Sequence, residues 1–306
     1  MSAFFDPARA YHRHGAFAAP ATTRPELWRL VAGLAAIEAI FALAIQGFDA
    51  LLEEVAPRLA QAVFEGTSPA GLTLQLVSYG FLGLATAFVV EKLHDRPARS
   101  LIGPRGQGAA MLTRAFLGAM AFYMVVQFMP PWGDFAAIEE VRPAATWLLM
   151  LPLALGALLV QTASEELLYR GYLQQQIAAR FAHPAVWMVV PNLIFASVHW
   201  NEGSGWADNW QYVIWAFCFG LACSDLTARA GSLGPAIGLH LANNAYAFLF
   251  FGEVGGLDSG LSLLLFPATP EMPDMGEGGP ILTLTLLMEL AVLALAWLSA
   301  RLAIRR

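Results

Sequence analysis

Charge is scarce in this chain of 306 residues: only 13% are Asp, Glu, Lys or Arg, about half the share of an ordinary soluble domain. Lysine is nearly missing, with Lys92 the single one among 17 basic residues, and cysteine is limited to Cys218 and Cys223. The first lack excludes a soluble globular enzyme, and the second excludes a disulfide scaffold. No basic run offers a surface for nucleic acid, and no repeat of fixed period marks a solenoid. What the chain does have is 58% hydrophobic and 12% aromatic residues, which excludes disorder. The fold class expected is all-α, a polytopic transmembrane helix bundle.

A spanning helix needs about 20 mostly apolar residues, and eight windows qualify: Trp28 to Phe48, Leu72 to Val90, Ala109 to Met129, Ala144 to Ser164, Pro184 to Trp200, Asn209 to Leu226, Leu233 to Phe251 and Pro280 to Leu302. Arginine and lysine gather in alternate loops. Arg9, Arg13 and Arg24 precede the first span, Lys92, Arg96, Arg99 and Arg105 follow the second, Arg170 and Arg180 follow the fourth, and Arg301, Arg305 and Arg306 end the chain. The loops between are acidic, with Asp49, Glu53, Glu54 and Glu65, then Asp134, Glu139 and Glu140, then Glu202 and Asp208, then Glu253, Asp258, Glu271, Asp274 and Glu277. By the positive-inside rule both termini are cytoplasmic. Residues 1–27 read as a cytoplasmic tail and 28–306 as a single helical membrane domain. The first span follows a polar tail with no small-residue cleavage site after it, so it is expected to stay as an anchor. The Gly- and Pro-rich segment from Gly252 to Gly279 resembles a linker.

Ionisable residues inside spans are costly and therefore candidates for function. Glu38 and Glu289 look isolated, and a hydrogen-bonded carboxyl facing the bundle accounts for each. Arg114 can snorkel to the headgroups, and Cys218 and Cys223 read as small packing residues. The run Ser164-Glu165-Glu166-Leu167-Leu168-Tyr169-Arg170 is different. Glu166 and Arg170 are four apart on one helical face and suit a carboxylate-guanidinium pair. Glu165 points about 100° away, free to act as a general base or acid. An ordinary interfacial charge cluster would explain the same run. Two further pairs have helical spacing: Phe195 with His199, and His240 with Asn244. Polar groups on three separate spans, in a chain with so few, are best explained by one shared cavity.

The three segments resemble the CAAX protease and bacteriocin-processing family of intramembrane endopeptidases, whose signatures are EExxxR, FxxxH and HxxxN. They stand here as Glu165-Glu166 to Arg170, Phe195 to His199, and His240 to Asn244, within a family core at about 144–251. Eight spans is similar to the family's type II prenyl endopeptidases. The resemblance implies that Glu165 and His199 activate a water that attacks the scissile carbonyl, that His240 and Asn244 stabilise the oxyanion, and that Glu166 with Arg170 holds the helix. It implies no cofactor. Two histidines and a carboxylate could also ligate zinc, but HExxH spacing is absent and the metal-free route is favoured.

Taken literally, the windows leave Glu165 at the cytoplasmic end of the fourth span and His199 about 22 Å into the fifth. Either the fourth helix continues past Arg170, or the fifth begins below the surface. His240, about 10 Å deep by the same arithmetic, favours a site in the cytoplasmic half. Two other functions fit the composition: a non-catalytic member of the family acting as an immunity or chaperone-like membrane partner, and a proton-coupled transporter with Glu38, Glu165, Glu289 and the histidines as a relay. The expected substrate is a membrane-associated or lipidated protein or peptide precursor. The arginine bias and many alanines suggest a GC-rich bacterial genome, hence the inner membrane, where prenylated substrates would be unexpected.

Overall fold

The computed structural model describes residues 7–104, 106, 108–131, 135–200, 205–268 and 279–305. Arg105, Asp134, Glu202, Glu271, Asp274, Glu277 and Arg306 from the loop assignments lie outside them. The described chain is helical almost throughout: α1 (Pro7–Ala10), α2 (His14–Ala18), α3 (Leu27–Val55), α4 (Pro57–Glu65), α5 (Pro69–Ser78), α6 (Gly80–Leu93), α7 (Gly108–Val126), α8 (Ala144–Glu166), α9 (Gln175–Arg180), α10 (Pro184–Ser197), α11 (Trp206–Ala230), α12 (Gly234–Phe250) and α13 (Leu284–Ile304). Between α8 and α9 the helix is wound more loosely, as a π-helix over Leu167–Gln174. Start signals are local. Proline opens α4, α5 and α10, where its missing N–H costs nothing, and the Thr283 hydroxyl accepts from Leu286 N–H at 3.1 Å to cap α13. Gly231, at φ +67, ends α11 in the left-handed turn that favours glycine.

Every one of the eight windows is helical, but among the described residues six stretches are long and apolar enough to cross a membrane: Leu27–Val55, Pro69–Leu93, Gly108–Val126, Ala144–Arg180, Trp206–Ala230 and Leu284–Ile304. The chain is an integral membrane protein of the all-α polytopic class. The fifth and seventh windows correspond to α10 and α12, of 14 and 17 residues, or about 21 and 26 Å at 1.5 Å per residue. These are short for a 30 Å hydrocarbon layer. The fourth window continues through the π-helix to Arg180, a stretch of 37 residues. Arg170 is therefore a side chain of the bundle interior, 0% exposed, and not a loop cation.

Helix α7 lies between α12 and α13, α3 packs on α6, and α10 on α11. Close approach explains some glycines: a Cβ on Gly238 of α12 would sit 2.3 Å from the Leu112 carbonyl oxygen of α7. The described part of the N-terminal tail is docked on the bundle. His14 stacks on Trp187 at 4.0 Å, and Tyr11 donates to Asp225 at 2.8 Å. Past α12, part of the segment read as a linker forms a small sheet. Strand β3 (Leu264–Phe266) pairs antiparallel with β1 (Glu140–Val141) and parallel with β2 (Phe251–Glu253). Its backbone groups are satisfied across loops that sequence proximity does not join.

Candidate active site

The three motifs converge on one cavity of about 880 Å³. Glu165 reaches it from the end of α8, His199 from just past α10, and His240 with Asn244 from α12. Glu38 of α3 and Glu289 of α13, which look isolated along the chain, line the same space. Asp208 and Asp258 add two more carboxylates, and no Lys or Arg lines it among the described residues.

Behind the cavity wall lies a buried ionic core. Glu166 and Arg170 are both 0% exposed, with Arg170 Nη1 2.9 Å from Glu166 Oε1. The other amino group, Nη2, donates to Asn192 Oδ1 and to the Gly220 carbonyl, each at 3.1 Å, and the guanidinium lies 4.8 Å from the centre of the Phe195 ring. That ring thus serves the cation as a π-face. His240 bridges the core to the cavity. Its Nδ1 is 2.9 Å from Glu166 Oε1 and its Nε2 is 3.7 Å from Glu165 Oε2. A carboxylate can only accept, so Nδ1 carries a proton and Nε2 is the nitrogen turned toward Glu165. His199 is held similarly, with Nδ1 2.6 Å from the Phe195 carbonyl oxygen, which leaves Nε2 as its free nitrogen.

Two residues that motif reasoning missed complete the arrangement. Gln161, one turn before Glu165, donates to Glu165 Oε1 at 2.5 Å and accepts from Asn244 Nδ2 at 2.9 Å. Its signal was the i,i+4 spacing to Glu165 in an apolar run. Asn192 accepts from Arg170 and donates to Ser224 Oγ at 2.8 Å; its signal was a lone amide inside an apolar window. The structure thus joins Glu165, Gln161, His240 and Asn244 by direct contacts and places His199 on the same cavity, against the rings of Phe195 and Tyr212.

A zinc site would need several donors gathered at one point. Among the described residues no group of three His, Cys, Asp or Glu side chains is placed to hold a metal ion.

This geometry is what gives weight to the sequence comparisons. Residues 146–246 match the family model described as type II CAAX prenyl endopeptidase Rce1-like. The family match covers about a third of the chain and encloses all three motifs, so Glu165, His199, His240 and Asn244 fall both within the matched region and on the cavity. The chain is also 26% identical over 192 residues to "Uncharacterized protein YyaK" of Bacillus subtilis (strain 168), a match that covers 59% of this chain and 60% of that protein. The chain therefore spans about three fifths of the length of this relative. No solved structure gives a significant match.

Proposed function

We propose that this chain is an intramembrane endopeptidase of the CAAX protease type, cutting a membrane-associated or lipidated protein or peptide precursor without a metal ion. The supporting observation is that Glu165, His199, His240 and Asn244, drawn from three parts of the chain, line one cavity inside a membrane bundle. In this reading Glu165 takes a proton from a water oriented by His199 Nε2, and the water oxygen attacks the scissile carbonyl carbon. The oxyanion then accepts from His240 Nε2, the ring carrying both protons in that role, and from Asn244. The Asn244 amide has two hydrogens and Gln161 takes one, so one remains to donate. As the C–N bond breaks, the proton held by Glu165 passes to the leaving amine. The Glu166–Arg170 pair orients His240 through Nδ1. In a bacterial inner membrane with both termini cytoplasmic, this would be a resident processing enzyme.

The test is Glu165→Gln, which keeps shape and removes the base. Cleavage of the native substrate should fall by about 10²–10⁴-fold, with His199→Ala similar, and by about 10²–10³-fold for His240→Ala and Asn244→Ala. Size-exclusion profiles should stay unchanged. Full biological activity in Glu165→Gln would replace the peptidase with a non-catalytic membrane partner, and proton-coupled solute uptake lost in that variant would replace it with a transporter. One equivalent of zinc, lost together with activity on chelation, would overturn the metal-free route alone.

A further inference from the structure

Among the described residues, basic side chains gather at one set of helix ends and acidic side chains at the opposite set. At one face Arg24 pairs with Asp95 at 3.1 Å, Leu233 N–H donates to the Ile102 carbonyl, and a Cβ on Gly234 would touch the backbone of Gly108. That face carries Arg29, Lys92, Arg96, Arg99, Arg180, Arg229, Arg301 and Arg305 at or beside the helix ends. At the other face Asp258 N–H donates to the Glu65 carbonyl, and Glu139 N–H to that of Leu265. Among the described residues Arg58 and Arg142 are the basic side chains there, beside Asp49, Glu53, Glu54, Glu65, Glu139, Glu140, Asp208, Glu253 and Asp258.

The cavity runs from the middle of the bundle toward the acidic face, where Leu72, Asp208, Asp258 and Glu289 line it. Its innermost lining residues are Glu38 in α3, Leu82 in α6, Phe195 in α10 and Phe219 in α11. Each is 11 residues from the arginine-face end of its helix, roughly 16 Å at 1.5 Å per residue. His240 reaches deeper, six residues from Gly234. Exposure runs the same way. Leu168, Phe219, Phe195 and His240 at the floor are 0, 1, 2 and 4% exposed, whereas Val198 and Tyr212 toward the acidic face are 60 and 51% exposed. The short helix α10 contributes to this by stopping partway, which brings His199 down to the level of Glu165. His240, six residues from Gly234 and ten from Phe250, and Glu165, 15 from Arg180 and 21 from Ala144, lie nearer the arginine ends of their own helices, so the expected depth of His240 describes the floor of the cavity, while its mouth faces the acidic side.

Basic residues mark the cytoplasmic side of a membrane protein, and acidic ones carry little topological information. We infer that the cavity is entered from the non-cytoplasmic side. The segment it takes is then part of a protein or peptide already presented at the outer face of the membrane. This rests on the peptidase reading for what happens to that segment, but its sidedness does not depend on catalysis.

The experiment uses the full chain in spheroplasts, with Cys218→Ser, and with Cys223 left in place because it is fully buried. Single cysteines are placed in the cavity at Ala247 or Gln211, on the acidic face at Leu257 and on the arginine face at Ile102, and treated with a membrane-impermeant maleimide. Leu257→Cys and the cavity cysteines should label in intact spheroplasts, and Ile102→Cys only after permeabilisation. Cavity cysteines that label only with Ile102→Cys, from both sides alike, or from neither would overturn the inference, as would reversed labelling of Leu257→Cys and Ile102→Cys. The Glu165→Gln variant should label identically, so a failed peptidase reading leaves loss of activity and sidedness separately legible.

Discussion

Removing Arg170 is the perturbation whose consequence the structure determines most fully. The guanidinium is 0% exposed and donates to Glu166, Asn192 and the Gly220 carbonyl at 2.9, 3.1 and 3.1 Å. In Arg170→Ala all three acceptors lose the guanidinium, and a carboxylate with no exposure keeps the imidazole of His240 but no cationic side chain of arginine beside it. Breaking a buried pair by deleting one member costs about 3–5 kcal/mol, chiefly because the other charge stays buried. Glu166→Ala should cost a similar amount, since it strands the guanidinium and leaves His240 Nδ1 without its acceptor. The double variant strands neither charge. Its loss should therefore lie near that of one single variant, giving a coupling energy at or above the 0.5–3 kcal/mol range usual for residues in contact. Equilibrium unfolding of the purified chain in mixed detergent micelles, over all four members of the cycle, measures this directly. Losses that add to within about 0.5 kcal/mol, or an Arg170→Ala variant as stable as the parent, would show that the two side chains do not share the buried contact and would remove the anchor proposed for His240.

Three further outcomes test separate parts of the molecule. Gln161→Leu should lower kcat by about 10- to 100-fold with little change in KM, the scale of one hydrogen bond to a charged group; an unchanged kcat would mean that Gln161 does not position Glu165 or Asn244. Gly220→Ala should destabilise by about 1–3 kcal/mol, because the new Cβ would meet Asn192 Oδ1 at 2.4 Å, and thermal melts equal to the parent's would show that the helices part freely there. Burial against Trp187 pushes the His14 imidazole down to about 4, so folding favours the neutral ring. As pH falls below about 6.5 the unfolded chain takes up the proton first, and stability that is whole above that value declines toward pH 4 by roughly 3 kcal/mol. His14→Gln should flatten that part of the stability profile, and a slope identical to the parent's between pH 6.5 and 4 would refute the linkage.

The membrane class and the places of the helices were legible because hydropathy is a local property: about 20 apolar residues in a row have few stable alternatives to a helix in or beside lipid. The motif residues were legible for a related reason. Spacing of four puts Glu166 with Arg170, and His240 with Asn244, on single helical faces whatever surrounds them. Helix ends were less so, since α8 runs on through the π-helix into α9, past Gly171 and up to Arg180, and an arginine followed by a glycine reads from sequence as a loop charge.

Contacts between helices depend on how far each one turns and how deep it sits, and those are set by packing among residues far apart in the chain. Hence Glu38 and Glu289, featureless along their own spans, share a cavity with Glu165. Hence also His240 faces Glu166 across 74 positions, and Asn192 completes the coordination of Arg170. The side of the bundle toward which the cavity opens has the same origin. The sequence by itself determined a helical membrane protein with three polar motifs and an alternating charge pattern; only the tertiary structure, by setting the length of α10 and the register of α8 against α12, decided that those motifs line one cavity and that it opens toward the acidic face.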